Sequence, residues 1–369
     1  MPAPENSESQ KPDIQYREVF NASISETLHQ AVKIVAVDPA LVIAGTRIIM
    51  YQKQAADRRK SLEHQGLLVP PVMIVSITSR CNLACSGCYM QRQRTAASLP
   101  DMNQEQIRSL AEQAEALGVS IIVIAGGEPL LRKNEIISLA RAFPHVLFPI
   151  FTNGLLINEE VAAEIAGIRN IVPMISFEGF RNDTDSRRGD GVYERLLEAC
   201  TLLAKRHIFF GCSITVTGQN LAQVTDEKFL RHMIGAGVRV FIFVEYVPIE
   251  PGTEALVLTG DQQKILHARI SGFTEKFLAL FIGFPGDETT FGGCLAAGRG
   301  FIHVSPSGNL EACPAAPFSD ANLTTIPLRD ALQSRLLEQI REHHNLLTET
   351  HGGCALWTNR AWVSTLLGK

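Results

Sequence analysis

Short apolar runs alternate with amphipathic segments along the middle of the chain, and this alternation limits the fold more than any other feature. The runs predict six strands, at Val72–Ile77, Ser120–Ala125, Val146–Phe151, Ile171–Phe177, Ile208–Val216 and Val238–Tyr246. The segments between them predict helices near Asn103–Leu117, Asn134–Phe143, Asn158–Ala166, Val192–Lys205 and Asp226–Ala236. Strand–helix alternation with short connections favours a parallel sheet with right-handed crossovers. We therefore predict an α/β fold, a partial (β/α)6 barrel whose active side lies at the carboxyl ends of the strands.

The rest of the sequence divides into regions around this barrel. Residues 1–15 are polar and predict a disordered tail, and residues 16–69 predict a helical region that ends before Pro70-Pro71. The barrel is expected over residues 70–256. Residues 257–369 then predict a small α+β module, with a helix near Asp261–Phe281 and another near Leu328–His343.

The charge balance and the N-terminus argue against several classes of protein. There are 34 Lys and Arg against 38 Asp and Glu, a formal net charge of −4, so no nucleic-acid partner is expected. The first residues lack a basic-then-apolar signal pattern, which favours a cytoplasmic protein. Leu41–Met50 is too short to span a bilayer, which takes roughly 20 apolar residues. It is followed by basic residues, so it could make a peripheral membrane contact or pack on the barrel; these residues are Lys53, Arg58, Arg59 and Lys60.

Eight cysteines in a chain expected to be cytoplasmic favour metal binding or catalysis over disulfides. Three of them, Cys81, Cys85 and Cys88, form a C-x3-C-x2-C array directly after the first strand. Three thiolates on one short loop suit a [4Fe–4S] cluster with one iron left open for a small-molecule ligand. The alternatives are three buried apolar residues or a structural zinc site, although zinc needs a fourth ligand that the nearby sequence lacks.

The ends of the next three predicted strands carry residues suited to a polar ligand. The second ends in Gly126-Gly127-Glu128-Pro129, where glycines allow close approach of the backbone and a carboxylate suits an ammonium group. The third ends in Thr152-Asn153-Gly154, and the fourth in Ser176-Phe177-Glu178-Gly179, followed by Arg187-Arg188-Gly189. Because the carboxyl ends of parallel strands meet at one edge, these motifs are expected to surround one site with the cysteines.

The cysteine array followed by these strand ends, in this order, resembles the radical S-adenosylmethionine (SAM) superfamily over about Pro70 to Pro248. The resemblance implies that Cys81, Cys85 and Cys88 bind a [4Fe–4S] cluster whose open iron takes the methionine moiety of SAM. It assigns SAM contacts to the strand ends, with the amino group at the second, the ribose at the fourth and the carboxylate near an arginine. The residues so assigned are Gly126, Gly127, Glu128, Pro129, Asn153, Ser176, Glu178 and Arg188.

One position departs from the family pattern. Many members have an aromatic residue before the third cysteine, near the adenine of SAM, whereas this chain has Gly87 there. The resemblance then leaves two expected adenine contacts, Tyr89 and the end of the fifth predicted strand at Thr215–Val216. Val216 is the last residue of that strand. Glu245 and Tyr246 are two candidates for facing the barrel interior, without an assigned role.

The reaction that the resemblance implies is reductive cleavage of SAM. One electron, supplied by a reductant such as flavodoxin or ferredoxin, reaches the sulfonium through the cluster. A 5′-deoxyadenosyl radical then abstracts hydrogen from the substrate, while the protein orients the reactants and excludes competing reactions.

Three further cysteines stand in the C-terminal region. Cys294, Gly308 and Cys313 form C-x13-G-x4-C, and Cys354 follows. A predicted hairpin turning through Ser307-Gly308-Asn309 would bring Cys313 back toward Cys294. The spacing resembles the SPASM and shorter twitch extensions of radical SAM enzymes, which implies an auxiliary iron–sulfur cluster. A zinc site and three unrelated thiols are the alternatives, and the fourth ligand is left open among a substrate atom, His343, His344 and His351.

The resemblance favours a peptide or protein substrate, because SPASM and twitch enzymes mostly mature peptides or oxidise protein side chains. A small molecule or an apolar, lipid-like substrate is the alternative. A non-catalytic iron–sulfur electron carrier and a zinc-stabilised binding module are further alternatives. Neither of these two explains the order of the strand-end motifs.

Overall fold

A computed structural model describes residues 11–36, 38–91, 99–285, 291–348 and 354–367. It begins with two long helices, α1 (Lys11–Ile34) and α2 (Pro39–Glu63). Asp38 caps α2 by accepting hydrogen bonds from the backbone N–H groups of Ala40 and Leu41, and Pro39 suits the first helical position. Helix α1 starts inside the stretch 1–15 for which the composition predicts disorder, and residues 1–10 lie outside the described ranges.

A parallel sheet with a helical layer forms the centre of the molecule. Its strands are β1 (Val72–Thr78), β2 (Ile121–Gly126), β3 (Phe148–Thr152), β4 (Ile171–Phe177), β5 (Gly211–Val216), β6 (Val240–Glu245) and β7 (Leu280–Phe284). The helices between them are α3 (Gln104–Leu117), α4 (Lys133–Ala142), α5 (Glu159–Ala166), α6 (Arg181–Arg188), α7 (Val192–Lys205), α8 (Leu221–Val224), α9 (Glu227–Gly235) and α10 (Gly260–Lys276). Each strand pairs in parallel with the next along the chain, so the predicted open α/β barrel is confirmed.

The C-terminal region joins the same sheet. Strand β8 (Phe301–Val304) pairs in parallel with β1, and β9 (Leu310–Glu311) pairs antiparallel with β8 through the predicted turn at Gly308. The sheet order is therefore β7-β6-β5-β4-β3-β2-β1-β8-β9. Short helices follow, at α11 (Leu328–Ala331), α12 (Arg335–Glu342), α13 (Ala355–Thr358) and α14 (Arg360–Thr365).

The expectation of one helix over Asp261–Phe281 is wrong at its end. Helix α10 stops at Lys276, and Leu280–Phe284 forms a seventh parallel strand beside β6. The apolar run LFIGF is short and follows the helix directly, so periodicity alone cannot separate a helix end from a buried strand. Edge pairing with β6 decides in favour of the strand.

The two faces of the sheet differ in burial. Side chains such as Ile122, Ile150 and Phe177 are buried under the helical layer in the main core. The other face is partly exposed along its upper half and is lined mainly by apolar and small hydroxyl side chains, at Ile74, Val123, Phe151, Ser176, Thr215, Ile242 and Val244. This inner face points into the barrel.

The N-terminal helices pack on the barrel and on the C-terminal region. Ala31 and Ile34 of α1 contact a small cluster of inner-face residues that includes Met174 and Val240. The guanidinium carbon of Arg299 lies 4.1 Å from the ring centre of Tyr16. Helix α1 therefore covers one end of the barrel interior and ties the C-terminal region to it.

Helix α2 packs against α3 of the barrel. Packing on the barrel was the alternative to a peripheral membrane contact for this segment. Arg59 is 5% exposed and donates hydrogen bonds to the carbonyl of Gly118 and the side chain of Asn21. Arg58 donates to the carbonyls of Glu115 and Ala116, at the end of α3. Two of the four basic residues considered for a membrane contact, Arg58 and Arg59, therefore bind other parts of the protein.

Within the described ranges, no helix is both long enough and apolar enough to cross a membrane.

Candidate functional site

The loop after β1 presents Cys81, Cys85 and Cys88 beside the carboxyl ends of the other strands. All three side chains are partly buried, and the described structure brings them close enough to influence one another electrostatically. Burial raises the pKa of the Cys81 and Cys85 thiols above the usual range, because an anion is less well solvated there. A metal cluster that replaces the protons would remove this cost.

The turn after β2 is pressed against the cysteine loop. The N–H groups of Gly127 and Glu128 donate to the carbonyls of Thr78 and Arg80, both at 2.8 Å. A β-carbon on Gly126 would collide with the Thr78 carbonyl, and one on Gly127 with the Arg80 carbonyl. These glycines therefore allow the backbone to contact the cysteine loop. The sequence analysis had instead assigned them to contact with a ligand.

Glu128 is fully buried, and both of its carboxylate oxygens accept hydrogen bonds from the protein. Oε1 accepts from the Leu130 N–H at 2.9 Å and the Thr152 hydroxyl at 2.7 Å, and Oε2 accepts from the Asn153 N–H at 2.8 Å. Burial raises the pKa of Glu128 despite these bonds. The carboxylate holds the ends of β2 and β3 together, while Pro129 begins the short 3₁₀ turn that Glu128 caps.

Asn153 and Ser176 lie at the same edge as the cysteines. The Asn153 amide donates to the Asn82 side chain at 2.7 Å and approaches the Cys81 sulfur at 3.8 Å. Ser176, on the inner face of β4, is partly exposed. Asn153 thus ties the end of β3 to the cysteine loop.

Glu178 is 2% exposed and forms ion pairs with two arginines at this edge. Its Oε1 accepts from Arg187 Nη1 at 2.7 Å and from Arg188 Nη2 at 2.5 Å. Its Oε2 is buried and has no hydrogen-bond partner in the described part of the chain. Arg187 also donates to the carbonyl of Ser86 at 3.1 Å, which links helix α6 to the cysteine loop. The lone oxygen is positioned for a ligand that donates a hydrogen bond.

The two residues expected near adenine, Val216 and Tyr89, lie in different surroundings. Val216 is fully buried in the main core, and its side chain faces the helical layer, because β5 presents Ser213 and Thr215 to the interior instead. Tyr89 is hydrogen-bonded to Ser76 and lies near both Cys88 and Cys313. Burial is the main reason that the pKa of Tyr89 is raised. Tyr89 therefore lies between the two groups of cysteines.

Of the two residues at the end of β6, only Tyr246 faces the interior. Glu245 points outward, where its Oε2 accepts from Gln263 of α10 at 2.7 Å. Tyr246 follows the inner-face residues Ile242 and Val244 at strand spacing and lies against Gly87.

The structure also brings Cys294, Cys313 and Cys354 together, although they are far apart in the sequence. All three are buried, at 9%, 5% and 7% exposure. A hydrogen bond with Cys354 is the main reason that the pKa of the Cys313 thiol is raised, with burial second. His351, one candidate for a fourth ligand, lies outside the described ranges. The Nδ1 atoms of His343 and His344 donate to backbone carbonyls of α12. Cys200 and Cys212 are in the core, as expected.

All eight cysteines are described, and none is in a disulfide. In the described ranges, no three Cys, His, Asp or Glu side chains converge closely enough to hold one metal ion. A four-iron cluster does not need such convergence, because each cysteine binds a different iron. Each group supplies three thiols, the ligand type that holds iron–sulfur clusters.

Sequence reasoning missed a buried polar chain that joins β1 to the C-terminal region. The Ser76 hydroxyl lies 2.8 Å from His303 Nε2, and His303 Nδ1 lies 2.7 Å from Glu311 Oε2. His303 is fully buried. The only available signal was a polar residue inside each of three apolar runs, which does not say that the runs pair.

The loop after β1 carries three cysteines and lies near Arg187 and Arg188, which pair with the buried Glu178. Residues 75–241 match the family model of the radical SAM superfamily. These residues therefore form a radical SAM domain, as the strand-end motifs predicted.

Several known proteins are similar to this chain in sequence or in fold. The mycofactocin maturase MftC of Mycobacterium tuberculosis is 29% identical over 266 residues, covering 68% of this chain and 66% of the maturase. An AdoMet-dependent heme synthase of Methanosarcina barkeri is 26% identical over 334 residues, covering 80% of this chain and 93% of the synthase. The crystal structure of Streptococcus suis SuiB bound to the precursor peptide SuiA has a TM-score of 0.62 at 17% identity, covering 84% of this chain and 74% of SuiB. The chain thus spans just under two thirds of the maturase, and SuiB shares its fold.

Proposed function

We propose that this protein is an enzyme that reductively cleaves SAM and uses the resulting 5′-deoxyadenosyl radical to remove hydrogen from a substrate. One observation carries the proposal: the cysteines of the β1 loop lie near Arg187 and Arg188, which pair with Glu178, and the buried Oε2 of Glu178 lacks a hydrogen-bond partner in the described structure. A ligand that binds both a cluster and a buried carboxylate would satisfy both features.

The residues around this loop have separable roles. Cys81, Cys85 and Cys88 would hold a [4Fe–4S] cluster, which supplies the electron for cleavage. Glu178 would accept a hydrogen bond from a ribose hydroxyl of SAM, while Arg187 and Arg188 neutralise the other carboxylate oxygen. Asn153 orients the cysteine loop through Asn82. Gly126 and Gly127 let that loop pack on β2.

The C-terminal cysteines would hold an auxiliary iron–sulfur cluster. Cys294, Cys313 and Cys354 are buried together, and Cys313 is hydrogen-bonded to Cys354. Three thiols buried close together are poorly solvated as anions, so a cluster that binds them as thiolates would explain their placement.

The substrate group that reaches the radical is an uncharged one. The inner faces of β1 to β7 carry no Asp, Glu, Lys or Arg, because Glu245 points outward to Gln263. A charged group there would lose its hydration without gaining a counter-charge. A peptide side chain fits this requirement, and the fold is that of SuiB, which was crystallised with a precursor peptide. A small apolar molecule fits the same surface and is the second candidate.

The electron must come from outside the chain. We propose a flavodoxin or ferredoxin as the reductant, in the cytoplasm, where thiols stay reduced and clusters can assemble.

The test is anaerobic reconstitution followed by iron and sulfide analysis, EPR spectroscopy with and without SAM, and measurement of 5′-deoxyadenosine with dithionite. Two triple variants are compared with the wild type, Cys81→Ala/Cys85→Ala/Cys88→Ala and Cys294→Ala/Cys313→Ala/Cys354→Ala. We expect about eight irons in the wild type and on the order of four in each variant, from the four-iron stoichiometry of such clusters. SAM should change the EPR spectrum, and be cleaved, only when the first three cysteines are present.

Each alternative gives a different result. Zinc in place of iron would contradict the whole proposal. About four irons, all lost with the first triple variant, would keep the SAM chemistry and contradict the auxiliary cluster. Bound clusters without SAM cleavage would favour an electron carrier.

A further inference from the structure

The hydroxyl of Tyr246 is a buried polar group beside the cysteine loop. The residue is 3% exposed, and its oxygen makes no hydrogen bond within the described ranges. Most buried hydroxyls in proteins are hydrogen-bonded, because an unsatisfied one loses its bonds to water for no return. The oxygen of Tyr246 is therefore a candidate contact for a ligand.

The position of Tyr246 is set by strand β6 and by Gly87. Its N–H donates to the carbonyl of Val216 at 2.9 Å, which continues the pairing of β5 with β6. A β-carbon on Gly87 would lie 2.5 Å from the Tyr246 hydroxyl oxygen and 3.2 Å from two of its ring carbons. The tyrosine ring thus occupies the space of a side chain between the second and third cysteines of the loop.

Two buried side-chain oxygens at this edge of the sheet have no hydrogen-bond partner among the described residues. Glu178 and Tyr246 follow β4 and β6, which are separated only by β5. Strands lie about 4.8 Å apart, so the two residues are spaced by roughly 10 Å along the edge. Glu178 Oε2 can accept a hydrogen bond, and the Tyr246 hydroxyl can donate one from the end of a flat ring.

A nucleoside has the matching groups. Its ribose hydroxyls donate, its base nitrogens accept, and its base presents a flat face to an aromatic ring. We propose that Tyr246 binds the adenosyl part of SAM, with the ring against the base and the hydroxyl donating to a ribose oxygen, and that Gly87 is glycine to make room for this tyrosine. The inference rests on the proposed SAM cleavage and adds a binding residue to it.

The experiment measures binding of SAM and of 5′-deoxyadenosine to the cluster-loaded protein by equilibrium dialysis, without turnover. Tyr246→Phe should weaken both ligands about 3- to 10-fold, the loss expected for one neutral hydrogen bond. Tyr246→Leu, which also removes the ring, should weaken them on the order of 10- to 100-fold. Iron content should equal that of the wild type in both variants.

Tyr51→Phe is the matched control. Its hydroxyl donates to the carbonyl of Glu115 on α3, away from the cysteine loop, so ligand binding should not change. The SAM-induced change in the EPR spectrum should need a higher SAM concentration in Tyr246→Phe and not in the control.

The outcomes separate the inference from the proposed function. Wild-type protein that binds no SAM would contradict the proposed function itself. Wild-type binding that Tyr246→Phe and Tyr246→Leu both retain would overturn only the role of Tyr246. Loss of iron in Tyr246→Leu, with Tyr246→Phe unchanged in affinity, would show that the ring packs the loop and contacts no ligand.

Discussion

At the scale of single residues, one carboxylate organises the charges at the strand edge. Glu178 is 2% exposed and is paired through one oxygen with both Arg187 and Arg188. A buried ion pair adds little net stability, but removing one partner leaves the other charge buried and uncompensated. Glu178 therefore matters for the fold as well as for a ligand.

Glu178→Gln should lower the free energy of unfolding by about 3 kcal/mol, because the guanidinium of Arg188 keeps its burial and loses its counter-charge. Urea unfolding at neutral pH measures this loss. The control is Glu227→Gln, whose side chain is 42% exposed and pairs with Lys276 and Arg231; because solvent screens this pair, we expect a much smaller change there. Equal effects in the two variants would contradict the reasoning.

At the scale of elements, the helical region is held to the barrel by the contact between α2 and α3. Asn103 and Gln106 form the predicted capping box of α3, and Gly118 ends that helix with a φ of 94°. A β-carbon on Gly118 would lie 2.8 Å from the carbonyl of Ala55 in α2. Tyr51 and Arg59 add hydrogen bonds across the same contact. The glycine at the end of α3 therefore allows α2 to pack closely against it.

This contact predicts a dependence of stability on alkaline pH. Burial raises the pKa of Tyr51 from 10 to about 12, so the folded protein holds this proton where the unfolded chain releases it. The contribution is complete below pH 10 and is lost as pH rises to about 12. Its size is about 1–2 kcal/mol, below the value for a full two-unit shift, because Tyr51 is partly exposed.

Urea unfolding of the wild type and of Tyr51→Phe, between pH 9 and pH 12, tests this. The difference in unfolding free energy between them should shrink across the window as the wild type loses its advantage. A difference that stays constant with pH would show that Tyr51 titrates alike in both states.

At the scale of the whole molecule, a buried polar chain connects the barrel to the C-terminal cysteines. His303 links the two sides, with Nε2 2.8 Å from the Ser76 hydroxyl and Nδ1 2.7 Å from Glu311 Oε2. Glu311 lies in the strand just before Cys313. The same β1 strand leads into the loop of Cys81, Cys85 and Cys88, so one strand supports both cysteine groups.

His303→Ala should therefore destabilise the protein by about 3 kcal/mol and reduce iron at the C-terminal cysteines, because Glu311 becomes a buried carboxylate without a donor. His29→Ala, on the exposed side of α1, should change stability by less than about 0.5 kcal/mol. Urea unfolding and iron analysis of both variants provide the measurements. Unchanged iron at the C-terminal site would show that the polar chain does not support it.

The parts of the site that could be predicted are those that lie close together in the sequence. The spacing of Cys81, Cys85 and Cys88 marks one loop, and the apolar runs mark the six predicted strands. The seventh strand was missed because Leu280–Phe284 continues the apolar pattern of helix α10. The interior position of Tyr246 could be read only after the phase of β6 was known.

Local structure follows from the order of the residues: where apolar runs begin and end, which residues cap helices, and which cysteines share a loop. Which side chains meet depends on how the elements pack. Packing turns the Glu128 carboxylate toward Thr152 and Asn153, buries Val216 in the core, and places Tyr246 on Gly87. The physical reason is that periodicity encodes whether a residue is buried, whereas its partner depends on strand order and register across the sheet.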